Sequence, residues 1–190
     1  MLFWAIIFIA AAIVLYAIIM FNSLVRTRQM ANEAWSGIDV QLKRRSELVP
    51  NLVESVKGYA THERSVLEEV TRLRDVAREV PLDDVTGRAQ AEKALTGAIG
   101  KLVALADNYP ALKASANFLD LQHELSNLED ELQMARRYYN GTVRNQNVLV
   151  QSFPGNLVAG LFGFTPRDYF ELPDAVQRDV PQVALTGRSR

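Results

Sequence analysis

The feature that most constrains this chain is an unbroken apolar run near its amino terminus, LFWAIIFIAAAIVLYAIIMF at residues 2–21. The run contains no charged residue, glycine or proline. A helix of that length spans about 30 Å, which matches the hydrocarbon core of a bilayer. Because no basic stretch precedes the run and it is longer than a signal core, a secretory signal fits less well. We predict that residues 1–21 form a transmembrane helix.

The basic residues that flank this span lie on its carboxyl-terminal side. Arg26 and Arg28 follow it closely, whereas Lys43, Arg44 and Arg45 are expected in a solvated turn further along. Since lysine and arginine near a span favour the cytoplasmic side, Arg26 and Arg28 are the predicted orientation determinants. We expect a single-pass protein of the bacterial cytoplasmic (inner) membrane with its soluble domain in the cytoplasm. A periplasmic or extracellular domain is the alternative.

The charge and cysteine counts exclude several classes of protein. The chain has 21 Lys and Arg against 22 Asp and Glu, a net charge of −1. A nucleic-acid partner is therefore not expected, because it would require a basic face. The chain has 0 cysteines, which excludes disulfides, zinc–thiolate sites and a lipid anchor on cysteine.

Apolar residues of the soluble part recur every three or four positions, which is typical of helices that bury one stripe. Four stretches show this spacing, at residues 24–42, 49–77, 86–108 and 118–153. No stretch shows the alternation of a strand. We predict an all-α fold, in which the transmembrane helix precedes an antiparallel four-helix bundle over residues 22–153.

The connection between the first two stretches is open. Their phase continues through Pro50, which favours one long kinked helix and a three-helix bundle. A turn at residues 45–51 would instead give four segments of comparable length. We favour the turn, because one long helix would leave Trp35, Ile38 and Leu42 exposed on a monomer.

A short apolar segment, predicted as a helix or interface segment, occupies residues 154–165. It is too short to cross a bilayer, but an up–down–up–down bundle would return it to the membrane. Its candidate membrane- or partner-contacting residues are Leu157, Leu161, Phe162 and Phe164. The alternative is a cap over the end of its own bundle. Residues 166–190, which include three prolines, are predicted to be an extended or disordered tail.

Catalytic and metal-binding constellations are hard to assemble from this sequence. The only histidines are His62 and His123. A carboxylate-bridged di-metal bundle requires two Glu-x-x-His units, and the nearest match is a single Asp120-x-x-His123. The chain has no phosphate-binding glycine loop and no nucleophile elbow. We predict a protein that is not an enzyme and has no cofactor or metal site.

Motifs along nearly the whole chain resemble the LemA family of bacterial membrane proteins. In order, they are EAWSGIDVQLKRR at 33–45, LVPNLVE at 48–54, VKGYA at 56–60, HE at 62–63, NFL at 117–119, LQ at 121–122, EL at 124–125, RRYYN at 136–140, FPGNL at 153–157 and FGF at 162–164. The resemblance implies a helical bundle behind an amino-terminal membrane helix, with no catalytic residues to carry over.

The resemblance also implies a role at membranes. The family includes a protein that builds magnetosome membranes, and its members are often encoded near membrane-bound proteases. The expected partners are the lipid bilayer, other copies of the chain and membrane proteases. The leading hypothesis is a non-enzymatic, membrane-anchored scaffold that self-associates or docks on other membrane proteins. The alternative is a regulatory or sensory adaptor for a membrane protease or kinase.

Overall fold

The computed structural model describes residues 1–60 and 62–171, and this part of the chain contains helices and loops without strands. The predicted all-α class is confirmed. Of the tail predicted at residues 166–190, residues 172–190 lie outside the described part. The helices are α1 (Leu2–Lys57), α2 (Arg64–Glu79), α3 (Val85–Leu105), α4 (Pro110–Lys113), α5 (Ala116–Gln151) and α6 (Gly155–Phe162), with a 3₁₀ turn at Ala106–Asn108.

Helix α1 passes through two environments. None of its most apolar 18-residue window is buried in the protein, and it is the one helix among the described residues that is long and apolar enough to cross a membrane. Beyond the apolar run the helix buries a single stripe of side chains, spaced by about one or two turns, which includes Leu24, Ala31, Ile38, Leu42, Val49, Leu52 and Val56. The same helix therefore forms the candidate span and one wall of the soluble domain.

The turn predicted at residues 45–51 is wrong, because α1 continues to Lys57 with Pro50 inside it. Proline has no N–H to donate to the carbonyl four residues earlier, so the Ser46 carbonyl loses its helical partner. Arg74 of α2 replaces it, since its Nε donates to the Ser46 oxygen at 2.9 Å. A side chain from a neighbouring helix thus compensates for the hydrogen bond that Pro50 removes. The chain turns later, between the end of α1 at Lys57 and the start of α2 at Arg64.

Helix α5 covers the stripe that a long α1 was expected to leave exposed. It has 36 residues and lies antiparallel to α1. Ile38 and Leu42 are consequently only 0% and 2% exposed. The contacts show the antiparallel order, because Arg44 pairs with Glu131, Trp35 contacts Tyr139, and Leu24 lies near Val150.

Helices α2 and α3 form a hairpin against the far half of α1. The Asp84 carboxylate caps α3 by accepting a hydrogen bond from the Gly87 N–H at 2.7 Å. Side chains of α1, α2, α3, α4 and the start of α5 then share one apolar core. The chain therefore runs away from the span, back, away and back again, which brings α6 to the end of the span.

Residues 164–171 return along the bundle without regular secondary structure. The side-chain amide of Asn140 holds this segment through two hydrogen bonds. Its Nδ2 donates to the Phe170 carbonyl at 3.1 Å, and its Oδ1 accepts from the Phe170 N–H at 2.9 Å. Asn147 makes the same pair of bonds with the backbone of Arg167. Phe170 is thereby fixed in the core, where it is 0% exposed.

Candidate functional site

Two glycines shape α6 and the turns around it. A Cβ on Gly155 would lie 2.6 Å from the Leu149 carbonyl oxygen, so only glycine lets α6 begin this close to the end of α5. Gly163 ends the helix with a φ of 70°, a conformation that glycine adopts at little cost. The Phe164 N–H then bonds back to the Ala159 carbonyl at 2.9 Å. The eight-residue helix is thus closed tightly at both ends.

One face of α6 packs on the carboxyl-terminal end of the apolar run. Val158 and Ala159 are buried in a cluster with Leu24, Val150 and Phe164. Aromatic contacts extend this cluster into the span, because the ring centroid of Phe21 lies 4.8 Å from that of Phe162 and 5.8 Å from that of Phe164. The structure therefore brings the segment predicted at residues 154–165 beside the membrane end of α1.

The other face of α6 is exposed and entirely apolar in its large side chains. We call it the α6 surface, and it consists of Phe153, Leu157, Leu161 and Phe162, which are 80%, 63%, 79% and 54% exposed. Three of the four candidate contact residues thus lie on the outside. Phe164, the fourth, lies inside at 7% exposure. Helix α6 therefore combines a face that caps its own bundle with an apolar face whose large side chains are each more than half exposed.

Phe153 was not among the predicted contact residues. The sequence assigned it to the buried stripe of the last helix, because its spacing from Leu149 and Gln146 continues the helical period. Helix α5 ends at Gln151, however, so the period no longer applies at residue 153. The following Pro154-Gly155 was the signal that could have separated Phe153 from the stripe.

The two predicted orientation determinants lie just beyond the span. Arg26 is exposed. The Arg28 guanidinium carbon lies 5.0 Å from the centre of the Phe164 ring, a cation–π contact that ties this arginine to the α6 segment. Along an α-helix these residues follow Phe21 by about 8–10 Å, which corresponds to the outer edge of the headgroup region for a hydrocarbon core that ends at Phe21.

A second region of interest is a set of paired charges in the middle of the bundle, of which Arg45, Arg88 and Glu92 are buried. We call it the ion layer, and it consists of Asp39, Lys43 and Arg45 of α1, Arg88 and Glu92 of α3, and Glu129 of α5. The ion layer was not predicted: Arg45 was expected in a solvated turn, whereas it is 1% exposed. Its position on the helical spacing between Leu42 and Val49 was the available signal.

Arg45 is the centre of the ion layer. Its guanidinium contacts Glu129 at 2.7 Å and Glu92 at 3.3 Å, and it donates to the Thr96 hydroxyl at 2.8 Å. Burial raises the pKa of Glu92, and the attraction of Arg45 offsets only part of this. The layer thus links α1, α3 and α5 through one arginine.

Asp39 is the second anion of the layer. It binds the Arg88 guanidinium at 2.6 Å and the Lys43 ammonium at 2.9 Å. Burial acts to raise its pKa, but the hydrogen bonds from Lys43 and Arg88 outweigh burial and hold the pKa below its usual range. Two cations thus share one carboxylate on this side of the layer.

The ion layer contains no nucleophile with an adjacent base. His62 and His123 are both exposed. Among residues 1–60 and 62–171 no group of three or more histidines and carboxylates is placed to hold a metal ion. The contacts of the layer are ion pairs, in which Lys43 and Arg88 share Asp39 and Arg45 binds Glu92 and Glu129.

Comparison of the sequence with known proteins identifies a family and several relatives. The family described as "LemA family" matches residues 34–185. Magnetosome protein MamQ of Magnetospirillum gryphiswaldense is 23% identical over 174 residues, which cover 79% of this chain and 64% of the relative. Magnetosome protein MamQ 1 of Paramagnetospirillum magneticum is 22% identical over 175 residues, which cover 80% and 64%.

A third relative, Protein LemA of Metamycoplasma hominis, is 29% identical over 138 residues, which cover 73% of this chain and 63% of the relative. The chain therefore spans slightly less than two thirds of the length of these relatives. The matched family region extends from the middle of α1 through α6, and so includes both the ion layer and the α6 surface.

Proposed function

The chain belongs to the LemA family, and from that premise we propose that this membrane-associated protein is a non-enzymatic scaffold that lies against the bilayer and assembles there. The assembly joins copies of the chain to one another or to other membrane proteins. The observation that carries this proposal is the α6 surface, which presents large apolar side chains beside the end of the candidate span. Two relatives are magnetosome proteins by name, which favours a role in organising membrane.

The energetics of the α6 surface favour contact with lipid. Removing one leucine or phenylalanine side chain fully from water contributes about 1.5–3 kcal/mol. Leu161 and Phe153 are about four-fifths exposed, so little of this contribution is realised within the monomer. Short amphipathic helices with such faces insert at the boundary between headgroups and acyl chains. We infer that α6 lies in this boundary and holds the bundle at a fixed angle to the membrane.

Site-directed spin labelling tests this position of α6 without background, since the chain has 0 cysteines. Leu161→Cys in the full-length protein is labelled in lipid nanodiscs. The expected result is high accessibility to oxygen, which concentrates in lipid, and low accessibility to a water-soluble nickel chelate. The matched control is Leu119→Cys, at a 42% exposed leucine at the far end of the bundle. The label there is expected to be more accessible to the chelate than the label at residue 161. Equal chelate accessibility at both labels would place α6 in water and refute the proposal.

Assembly is tested by cross-linking and blue-native electrophoresis of the detergent-solubilised protein. The double variant Leu161→Ser with Phe162→Ser is expected to weaken assembly while the helix content by circular dichroism stays unchanged, because both side chains are exposed. Leu119→Ser is the control. A strictly monomeric wild type that captures no partner removes the scaffold proposal. Recovery of a stoichiometric second protein, such as a membrane protease, instead makes the protein an adaptor.

We further propose that the soluble domain lies in the cytoplasm of a bacterial inner membrane. Arg26 and Arg28 support this orientation, because both lie close enough to the end of the span to favour the cytoplasmic side for the segment that follows it. An alkaline phosphatase fused to the carboxyl terminus is expected to be inactive, and a fluorescent protein fused there to be bright. Replacing both arginines by serine is expected to mix the two orientations. An active phosphatase on the wild-type chain would reverse the assignment.

A further inference from the structure

The charged residues of this chain are unevenly divided between the two ends of the bundle. Residues 1–32 and 142–167 contain four arginines and no lysine, aspartate or glutamate. The other described residues contain 20 Asp and Glu against 14 Lys and Arg, and they are 33–60, 62–141 and 168–171. Because α5 lies antiparallel to α1, the two acid-free stretches lie side by side at the membrane-proximal end. That end is therefore basic, whereas the rest of the described chain has an excess of acidic residues.

The arginines of the proximal end form a set that we call the basic collar, and they are Arg26, Arg28, Arg144 and Arg167. The first two follow the apolar run directly on α1. They lie about 8 and 10 Å beyond Phe21 along the helix axis. The other two are distant in sequence and come to this end only through the fold.

The packing of the bundle brings Arg144 and Arg167 to nearly the same height. Arg144 lies on α5 halfway between the side chains that lie beside Trp35 and Leu24. This places it about 13 Å beyond the apolar run. The guanidinium of Arg167 donates to the side-chain oxygen of Asn32, which lies about 16 Å beyond the run. All four arginines therefore lie within one narrow layer next to the span.

No acidic group neutralises the basic collar within the described part of the chain. Three of its four arginines are exposed. Arg28 contacts the neutral ring of Phe164 at 5.0 Å, and Arg167 donates to a neutral amide. Glu33 and Asp168, the first acidic residues beyond the acid-free stretches, form no ion pair with it. The positive charge of the collar is thus available to an external anion.

This charge lies within the electrostatic range of an anionic bilayer. Headgroups add about 5–7 Å to each side of the hydrocarbon core. The surface potential then decays over a Debye length of about 8–10 Å near physiological salt. Heights of about 8–16 Å beyond the apolar run fall within these two distances together.

We propose that the basic collar gives the membrane contact a preference for anionic lipids, which gather around the span beneath it. The proposal rests on the position of α6 at the bilayer boundary that is proposed above. The collar is continuous with that contact, because Arg28 lies against Phe164 at the end of α6. Apolar side chains of α6 would then hold the domain at the bilayer, and the arginines would select the lipid.

Electron paramagnetic resonance of spin-labelled lipids tests the proposal with the full-length protein in phosphatidylcholine bilayers. Lipids beside the span are motionally restricted, and their fraction is measured with labelled phosphatidylglycerol and, separately, with labelled phosphatidylcholine. Phosphatidylglycerol is expected to associate about threefold more strongly at low salt. At about 1 M salt the Debye length falls to about 3 Å, so the preference is expected to be lost.

Arg144→Gln with Arg167→Gln removes two of the four collar charges and leaves the two on α1 unchanged. This double variant is expected to lower the preference to about 1.7-fold. The matched control is Arg72→Gln with Arg137→Gln, which removes two exposed arginines outside the collar and is expected to keep the wild-type preference. Arg144→Gln alone, at an exposed and unpaired side chain, is expected to give an intermediate value. Circular dichroism checks that the helix content of each variant is unchanged.

Equal association of the two lipids with the wild type would assign the collar to another anion and overturn the proposal. Equal losses in the two double variants would also overturn it, as would a preference that persists at about 1 M salt, because that would require direct headgroup contact. The label at residue 161 reports the position of α6 in lipid of either charge. Loss of the lipid preference with that label still in lipid refutes the collar alone, whereas a label in water refutes the position of α6 on which the collar depends.

Discussion

The membrane-proximal end of the bundle and its middle are built from the same two helices, α1 and α5, but they are held together by opposite means. At the proximal end, the cluster around Leu24, Phe164 and α6 is apolar inside and the α6 surface is apolar outside. In the middle, Arg45 and Asp39 cross the interior as buried ion pairs.

The contrast follows from what surrounds each region. With α6 in the bilayer boundary, as proposed, an apolar outside has no cost, and that end is held mainly by apolar packing. In water, the middle has a polar outside, and its buried charges fix which turn of α3 faces which turn of α1. Those two helices have few close backbone contacts, so side chains such as Arg45 make the connection.

The largest effect is expected from Arg45→Ala, because it leaves Glu92 buried without its cation. Breaking a buried pair from one side destabilises by about 3–5 kcal/mol. Urea unfolding of the full-length protein in mild detergent, followed by circular dichroism, measures the change. The control is Arg44→Ala, whose 3.4 Å pair with Glu131 is exposed and contributes about 0–1 kcal/mol. Similar losses for the two variants would mean that the ion layer does not hold the middle together.

Phe164→Ala is the corresponding change at the proximal end. Its ring is 7% exposed and packs on Phe21, so the truncation is expected to destabilise by about 3 kcal/mol. Phe162→Ala is the matched control. It removes a 54% exposed ring that also contacts Phe21, and in detergent it is expected to cost less than half as much. The comparison is measured by the same urea unfolding. An equal loss would show that the exposed ring is part of the core.

Two glycine substitutions are expected to act with opposite signs. Gly141 lies inside α5, and a Cβ there meets nothing within 4 Å. Gly141→Ala is therefore expected to stabilise the helix by about 0.5–1 kcal/mol. Gly155→Ala, at the proximal end, is expected to destabilise by about 1–2 kcal/mol because its Cβ meets the Leu149 carbonyl. Thermal unfolding midpoints measure both, and a stabilising Gly155→Ala would show that the α5–α6 junction is loosely packed.

The smallest expected effect is the dependence of stability on pH through the two ion-layer carboxylates, Asp39 and Glu92. The two carboxylates change the stability in opposite directions as the pH rises. The pKa of Asp39 is lower in the folded protein than its usual 3.8, so its contribution is complete above that pH and is lost as the pH falls through the folded value. The pKa of Glu92 is raised above 4.5, so its contribution is complete below pH 4.5 and is lost as the pH rises through the raised value.

Unfolding midpoints measured from about pH 3 to about pH 8, a range that extends to both sides of the usual carboxyl pKa values, separate the contributions of the two carboxylates to stability. Wild type is expected to lose stability relative to Asp39→Asn at the acid end. Relative to Glu92→Gln, it is expected to lose stability as the pH rises above 4.5. Profiles that run parallel to wild type would show that neither carboxylate is tuned by the layer.

Much of the fold was accessible from sequence because helical spacing is a local signal. The apolar run and the return of α6 to its end followed from periodicity and from the count of helices. The turn at residues 45–51 was predicted wrongly although the helical phase through Pro50 favoured one helix, because the sequence does not show that α5 covers Ile38 and Leu42 of a long α1. The helical spacing could have placed Arg45 on the buried stripe, but its partners depend on which residues of α1, α3 and α5 face each other, and no local pattern contains that information.

The continuity of α1 has a mechanical consequence. No joint separates the candidate span from the soluble domain, since one helix runs from Leu2 to Lys57. From Phe21 to Lys57 this rod is about 54 Å long. A change of tilt by about 20°, within the range of membrane helices, moves its far end sideways by about 18 Å. The proposed contact of α6 with the bilayer boundary, by fixing the tilt of α1, therefore also fixes where the far end of the bundle lies.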